Sequence, residues 1–204
     1  MRLIQLIAVL LACLGLAGAA AAAETSAGFL HRPLADVEQS SFFTWFHLEE
    51  SARSAAADGQ QVVRYKPSGP RFHSLVTLAI TVDGAGFVER LDLLLLRAFI
   101  DSPGNGPFAR DIAKSFLADA PPATDADGLA TLASEVEHRA SGSAAVLVGP
   151  GYRKPELPSE PSDGYKTFAG ARESYSQTLS RSALEMKNEA GPDGEALHMA
   201  VIAQ

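Results

Sequence analysis

Two runs joined by a glycine-rich turn constrain this chain more than any other part of it. From residue 72 to 82 the side chains alternate. Phe72, Ser74, Val76, Leu78, Ile80 and Val82 fall on one side, and His73, Leu75, Thr77, Ala79 and Thr81 on the other. A period of two belongs to a strand with one face buried. Asp83-Gly84-Ala85-Gly86 follows, and glycines supply the positive φ that a tight hairpin needs. The return run, 87–99, carries Glu89, Arg90 and Asp92 early and Leu93 to Leu96 late. Its late part is apolar on both sides, as in a strand covered on both faces.

The rest of the chain supplies more strands and three helices. The aromatics Phe42, Trp45 and Phe46, with Glu49, fall at helical spacing and predict a helix over 40–57, capped by Ser40 or Ser41 and ended by Asp58-Gly59. Val62 opens a short strand that Pro67-Ser68-Gly69-Pro70 breaks. Pro107 suits the first position of a second helix, carried by Phe108, Ile112 and Phe116 and stopped by Pro121-Pro122. Thr124 with Asp127 resembles a capping box for a third helix through Leu129, Leu132 and Val136. Residues 144–148, 165–168, 174–187 and 195–202 read as strands, the last two joined at Gly191-Pro192-Asp193-Gly194. Between them lies a loop over 149–164, punctuated by Pro150, Pro155, Pro158 and Pro161. The expected fold is α+β: one domain over 40–204, with a mostly antiparallel sheet of about five to seven strands and three helices. Residues 24–39 show no period and are expected to be a flexible lead-in.

The first 23 residues set the compartment. Arg2 precedes an apolar run from Leu3 to Ala12, and small residues end in Ala21-Ala22-Ala23 before Glu24. That order is the signature of a cleavable secretory signal peptide. Cleavage near Ala23 places the protein in the periplasm or outside the cell. Two alternatives stay open: an uncleaved anchor, since the apolar stretch is about 20 residues long, and lipid anchoring at Cys13, which follows Leu10-Leu11-Ala12. Cys13 is the chain's single cysteine. The domain downstream therefore has no disulfide to hold it, no thiol nucleophile and no cysteine metal ligand. With 17 basic and 24 acidic residues the chain is acidic, at a formal net charge of −7. That argues against nucleic acid, whose recognition wants a basic patch. No membrane span is expected after cleavage.

The sequence contains no nucleophile elbow, no phosphate-binding loop and no zinc-protease helix. Gly104-Asn105-Gly106 resembles part of a dinucleotide fingerprint, but Pro107 removes an N–H where phosphate would bind, and a plain turn is the expectation. His47 and Glu50 are one helical turn apart, and a catalytic zinc needs a third protein ligand. Glu49-Glu50 and Asp125-x-Asp127 are the carboxylate pairs. The first diverges on a helix, and the second answers a helix dipole. No catalytic residue, metal ligand or cofactor is assigned. The binding candidates are Phe43 and Trp45, in the densest aromatic cluster, and Tyr152 and Arg153, an aromatic and a cation among prolines.

These observations point to an exported cell-envelope protein, non-enzymatic, that binds an unknown protein or small molecule or serves in assembly. Two alternatives are an exported hydrolase with a His/carboxylate site, which His47 or His73 beside two acids would support, and a structural subunit of an envelope assembly.

Overall fold

The computed structural model describes residues 28–139 and 157–204. The expected signal peptide, the strand at 144–148, Tyr152 and Arg153 lie outside the described residues, as does the Pro-rich loop before 157. Within them the fold is α+β: one antiparallel sheet of seven strands, in the order β1-β2-β3-β4-β7-β6-β5. The strands are β1 (Leu48–Ala55), β2 (Gln61–Pro67), β3 (Val76–Val82), β4 (Val88–Leu96), β5 (Ser174–Thr178), β6 (Ser182–Gly191) and β7 (Gly194–Ala203). Two meanders, β1 to β4 and β5 to β7, meet along β4 and β7, where Leu93 pairs with Met199.

The described residues form six helices rather than three: α1 (Leu34–Glu38), α2 (Ser41–Trp45), α3 (Arg97–Ile100), α4 (Gly106–Asp119), α5 (Ala123–His138) and α6 (Asp163–Phe168). The two long ones, α4 and α5, are those that the apolar spacing predicts. The hairpin of β3 and β4 also forms as expected, with Ile80 opposite Leu91.

Period two sorts the sheet into a covered and an open face. Val76, Leu78, Ile80 and Val82 of β3, Leu91, Leu93 and Leu95 of β4, and Leu197, Met199 and Val201 of β7 are all buried in one core. Ile112, Phe116 and Leu117 of α4, and Leu129, Leu132 and Val136 of α5, close over them in the same cluster. A fully buried side chain of this size contributes roughly 1.5–3 kcal/mol.

Four segments differ from expectation. Residues 40–57 are not one helix. After α2 the chain turns at His47, which adopts φ 48°, and then pairs as β1 with β2, Ala52 opposite Arg64. The aromatic run is long enough for one turn and a half. The segment beyond it has no apolar stripe to bury against the sheet, so ladder hydrogen bonding decides its state. Asp58-Gly59 is still a turn, with φ 57° and 76°, but it joins two strands. Residues 165–168 lie in α6 rather than in a strand, because Ser162 accepts the Tyr165 N–H at 3.1 Å and caps a helix there. Residues 174–187 divide into β5 and β6 at a turn where Leu179 N–H donates to Ser182 O, 2.9 Å. Finally, the expected lead-in is partly ordered: Phe29, Leu30, Leu34 and Val37 are buried in the core.

Two buried carboxylates pin the helices to their surroundings. Asp125, 3% exposed, accepts from Ser180 Oγ, from Arg181 N–H at 3.0 Å and from Ser182 Oγ at 2.7 Å. It ties the start of α5 to the turn between β5 and β6. The expected Thr124 box does not form: Pro122 stands at the N-cap, with no side-chain cap. Glu135, fully buried, accepts from Arg139 Nε at 2.8 Å, from Ser162 N–H at 3.1 Å and from Ser162 Oγ. Arg139 also donates to Glu160 O, 3.2 Å. The chain therefore leaves α5 and re-enters before α6 at the same place.

Candidate functional site

The face of the sheet away from the helices is the part of the molecule whose chemistry the core does not explain. Two neighbouring rows cross it completely, with one residue from each strand, and the first is Ala52, Arg64, Ala79, Asp92, Ala200, Glu185 and Ser176. The second holds Ser54, Val62, Thr81, Arg90, Ile202, Ala183 and Thr178. Small residues and short hydroxyls dominate, so few side chains rise far above the sheet.

At its centre sits an ionic cluster. Arg90 and Asp92 are two apart on β4 and therefore share a face. Arg90 donates to Asp92 through Nε at 2.7 Å and through Nη2 at 2.7 Å. From β7, His198 Nε2 meets Asp92 Oδ1 at 2.8 Å. The other ring nitrogen, Nδ1, faces Glu189 Oε1 of β6 at 3.9 Å, and Lys187 Nζ lies 4.0 Å from Glu189. Burial pushes the Asp92 carboxyl up, but the hydrogen bonds from His198 and Arg90 outweigh it and hold it below the usual range. The bond to Asp92 raises the His198 imidazole, with burial opposing it and the charges of Asp92 and Glu189 adding to the rise.

This arrangement stabilises imidazolium. The His198 Nε2 is held by Asp92, and its Nδ1 faces Glu189 at 3.9 Å, a distance for charge attraction rather than for a hydrogen bond. The histidines that sequence reasoning tied to a hydrolase are elsewhere. His47 is exposed in the turn after α2, and His73 Nδ1 lies 3.1 Å from Pro67 O. Glu50 is taken by Arg53, at 2.7 Å. Among the described residues no group of three or more His, Cys, Asp or Glu side chains is arranged to hold a metal ion, and no helix is long and apolar enough to cross a membrane.

A cleft of about 390 Å³ adjoins the cluster where β4 and β6 end and β7 begins. Arg97, Asp101, Gly170, Asn188, Glu189 and Glu195 line it, so Glu189 belongs to both cluster and cleft. Arg97 is fixed by donating to Phe168 O at 2.6 Å and by pairing with Asp101 at 2.6 Å. Gly170, at φ 78°, lies so close that a Cβ there would stand 3.1 Å from the guanidinium. Asn188 donates to Thr167 O at 2.7 Å and Arg172 O at 2.9 Å, while its Oδ1 is buried without a hydrogen-bond partner.

The aromatic candidates separate. Phe43 is buried, its ring 4.9 Å from that of Tyr65 in an edge-on contact, whereas Trp45 is 77% exposed. The spacing groups Trp45 with Phe42 and Phe46. At about 100° per residue, the inward arc of so short a helix is the one spanned by Phe42, Phe43 and Phe46. Trp45 lies beyond it.

Sequence reading had no local signal for His198 beside Asp92, because 106 residues separate them. The available hint was Arg90 and Asp92 themselves, two opposite charges on one side of a strand otherwise apolar enough for the middle of a sheet. No protein-family model matches the chain, and no curated protein or solved structure matches it either.

Proposed function

We propose that the protein is an exported, periplasmic, non-enzymatic binding or assembly module whose working surface is the face of its sheet that none of the described helices covers. The observation that carries this reading is the Arg90–Asp92–His198–Glu189 cluster. It neutralises its own charges at the centre of a low face made of Ala79, Ala200, Thr81 and Ala183. Groups already paired within the chain can be covered by a partner without leaving a buried unpaired charge. The hydrogen bond of His198 Nε2 to Asp92, with Nδ1 facing Glu189, favours an ion-pairing role for this histidine over that of a general base. Export follows from the N-terminal pattern of charge, apolar run and Ala-x-Ala.

The test is photo-crosslinking in the host envelope from a reactive residue placed at Ala79, on the open face, and in a second strain at Ala118, exposed on α4. Specific adducts from position 79 alone are expected, on a chain beginning at Glu24. Equal labelling from both positions, or labelling from position 118 alone, refutes the reading of the face.

A second reading is favoured by one observation, the unpartnered Asn188 Oδ1 beside the cleft: the module holds a small hydrogen-bond donor there. Native mass spectrometry of protein taken from the envelope tests it, with a retained adduct expected and lost on Asn188→Leu.

A further inference from the structure

We propose that the partner of the open face is a second copy of this chain, packed sheet to sheet about a two-fold axis that lies in the face and runs nearly parallel to β4. This rests on the reading of that face as the working surface.

The strand order makes the operation possible. β4 is the middle strand of seven, with β3, β2 and β1 on one side and β7, β6 and β5 on the other. Such an axis lays β4 on its own copy. It lays β3 on β7, β2 on β6 and β1 on β5 of the second chain. A two-fold interface must be self-complementary, and away from the axis two rows of the sheet match. Along the first row, Arg64 meets Glu185 of the second copy, Ala79 meets Ala200, and Ala52 meets Ser176. In the next row Val62 meets Ala183 and Thr81 meets Ile202. In these two rows a cation faces an anion and small or apolar residues face one another, while one row further Lys66 of β2 comes over Lys187 of β6, each with a carboxylate of its own chain beside it, Glu49 and Glu189. Arg90 and Asp92 both sit on the axis, each opposite its own copy, and they neutralise each other within the chain, with His198 also on Asp92. Aligned sheets cross at about 30°. The offset this produces grows away from the axis, and the long side chains of Arg64 and Glu185 are those that must bridge it.

Charge and area agree with this occupant. The open face carries Arg64, Lys66, Arg90 and Lys187 against Glu49, Asp92, Glu185 and Glu189, so its fixed charges balance, while the whole chain stands at −7. Two acidic molecules can approach through this face with least repulsion. Seven strands at about 4.8 Å spacing, paired over about 24 Å, present roughly 700 Å². A stable interface buries about 800 Å² on each partner.

The experiment is analytical ultracentrifugation of the protein in the form its host processes, at micromolar concentration, for the natural chain, Arg64→Glu, Glu185→Arg and the double exchange. Neither side chain takes part in the ionic cluster, and circular dichroism checks that each variant is folded. A dimer is expected. Each single exchange places like charges together at two symmetric positions and should raise the dissociation constant about tenfold or more. The double exchange should restore association. A natural chain that is monomeric throughout overturns the proposal, as does a dimer that the single exchanges leave unchanged or that the double exchange does not rescue. If the chain is monomeric and position 79 still crosslinks to a different protein in the envelope, the dimer is wrong and the face remains the working surface. If position 79 labels no better than position 118, both fail.

Discussion

The two faces of the sheet are built from the same strands, residue by residue in alternation, and they do opposite work. On β4, Leu91, Leu93 and Leu95 point into the helical layer and are fully buried, while Arg90 and Asp92 point the other way and pair with each other. On β7 the same division separates Leu197, Met199 and Val201 from His198 and the small Ala196 and Ala200. The covered face draws its stability from area and close packing. The open face carries fixed charge held at defined distances. Packing tolerates loss of volume poorly, whereas exposed or half-exposed ion pairs contribute little each. Substitutions on the two faces should therefore differ in size and in their response to pH.

The largest effect is expected at the centre of the covered face. Phe116 of α4 is fully buried, and Phe116→Ala should cost about 3–5 kcal/mol, read as a fall in the urea midpoint. A loss below about 1 kcal/mol would mean that the helical layer packs more loosely on the sheet than described. Asp125→Ala comes next. It leaves the Arg181 N–H and the Ser182 hydroxyl without their acceptor, and each orphaned buried donor costs about 1–3 kcal/mol. A loss of about 2–4 kcal/mol is expected, together with faster amide exchange across residues 179–182. Exchange unchanged in that turn would show that Asp125 does not hold it.

The covered face was largely legible from the sequence, and the reason is physical. Alternation through Val76, Leu78, Ile80 and Val82, and the spacing of Phe108, Ile112 and Phe116, each encode a burial direction within a few residues. The strand β1 was not legible. Its residues, from Glu49 to Ala55, are exposed on both sides, so nothing in their pattern records the pairing with β2 that determines their state. The ionic cluster was half legible. Arg90 and Asp92 announce a polar side to β4, but His198 and Glu189 join them only because β7 inserts between β4 and β6. That insertion is a property of the topology, and no local window contains it.

On the open face the expected effect is smaller and depends on pH. The groups facing His198 are Asp92 and Arg90 from β4, and Glu189, with Lys187 behind it, from β6. Folding raises the His198 imidazole above its ordinary value. Its contribution to stability is thus fully present below the unfolded value of about 6.5, and it is lost as pH rises through the higher folded value. Asp92 is held below its ordinary value, so its contribution is present above about 4 and lost as pH falls through the lower folded value. Asp92→Asn should cost about 1 kcal/mol near pH 6. It should also return the His198 titration, followed by NMR, toward the ordinary range. A His198 titration unmoved by Asp92→Asn would break the assignment of the cluster.

The smallest effect on stability is expected at Trp45, and the contrast with Phe43 two residues earlier makes the comparison local. Phe43 is 5% exposed and Trp45 77%. Phe43→Ala removes a core side chain and belongs with the covered-face losses of several kcal/mol. Trp45→Ala removes a ring that the core does not hold and should change stability by less than about 0.5 kcal/mol. Trp45 is the chain's single tryptophan, so its fluorescence reads this position alone. In the isolated protein the ring should be quenched by acrylamide nearly as readily when folded as in urea. The second copy proposed above docks on the opposite side of the sheet from the aromatic core, so dilution through the dimer range should leave the quenching unchanged. Protection of Trp45 that appears with self-association would place the contact on α2, at the edge of the helical layer, and would move the working surface off the open face altogether.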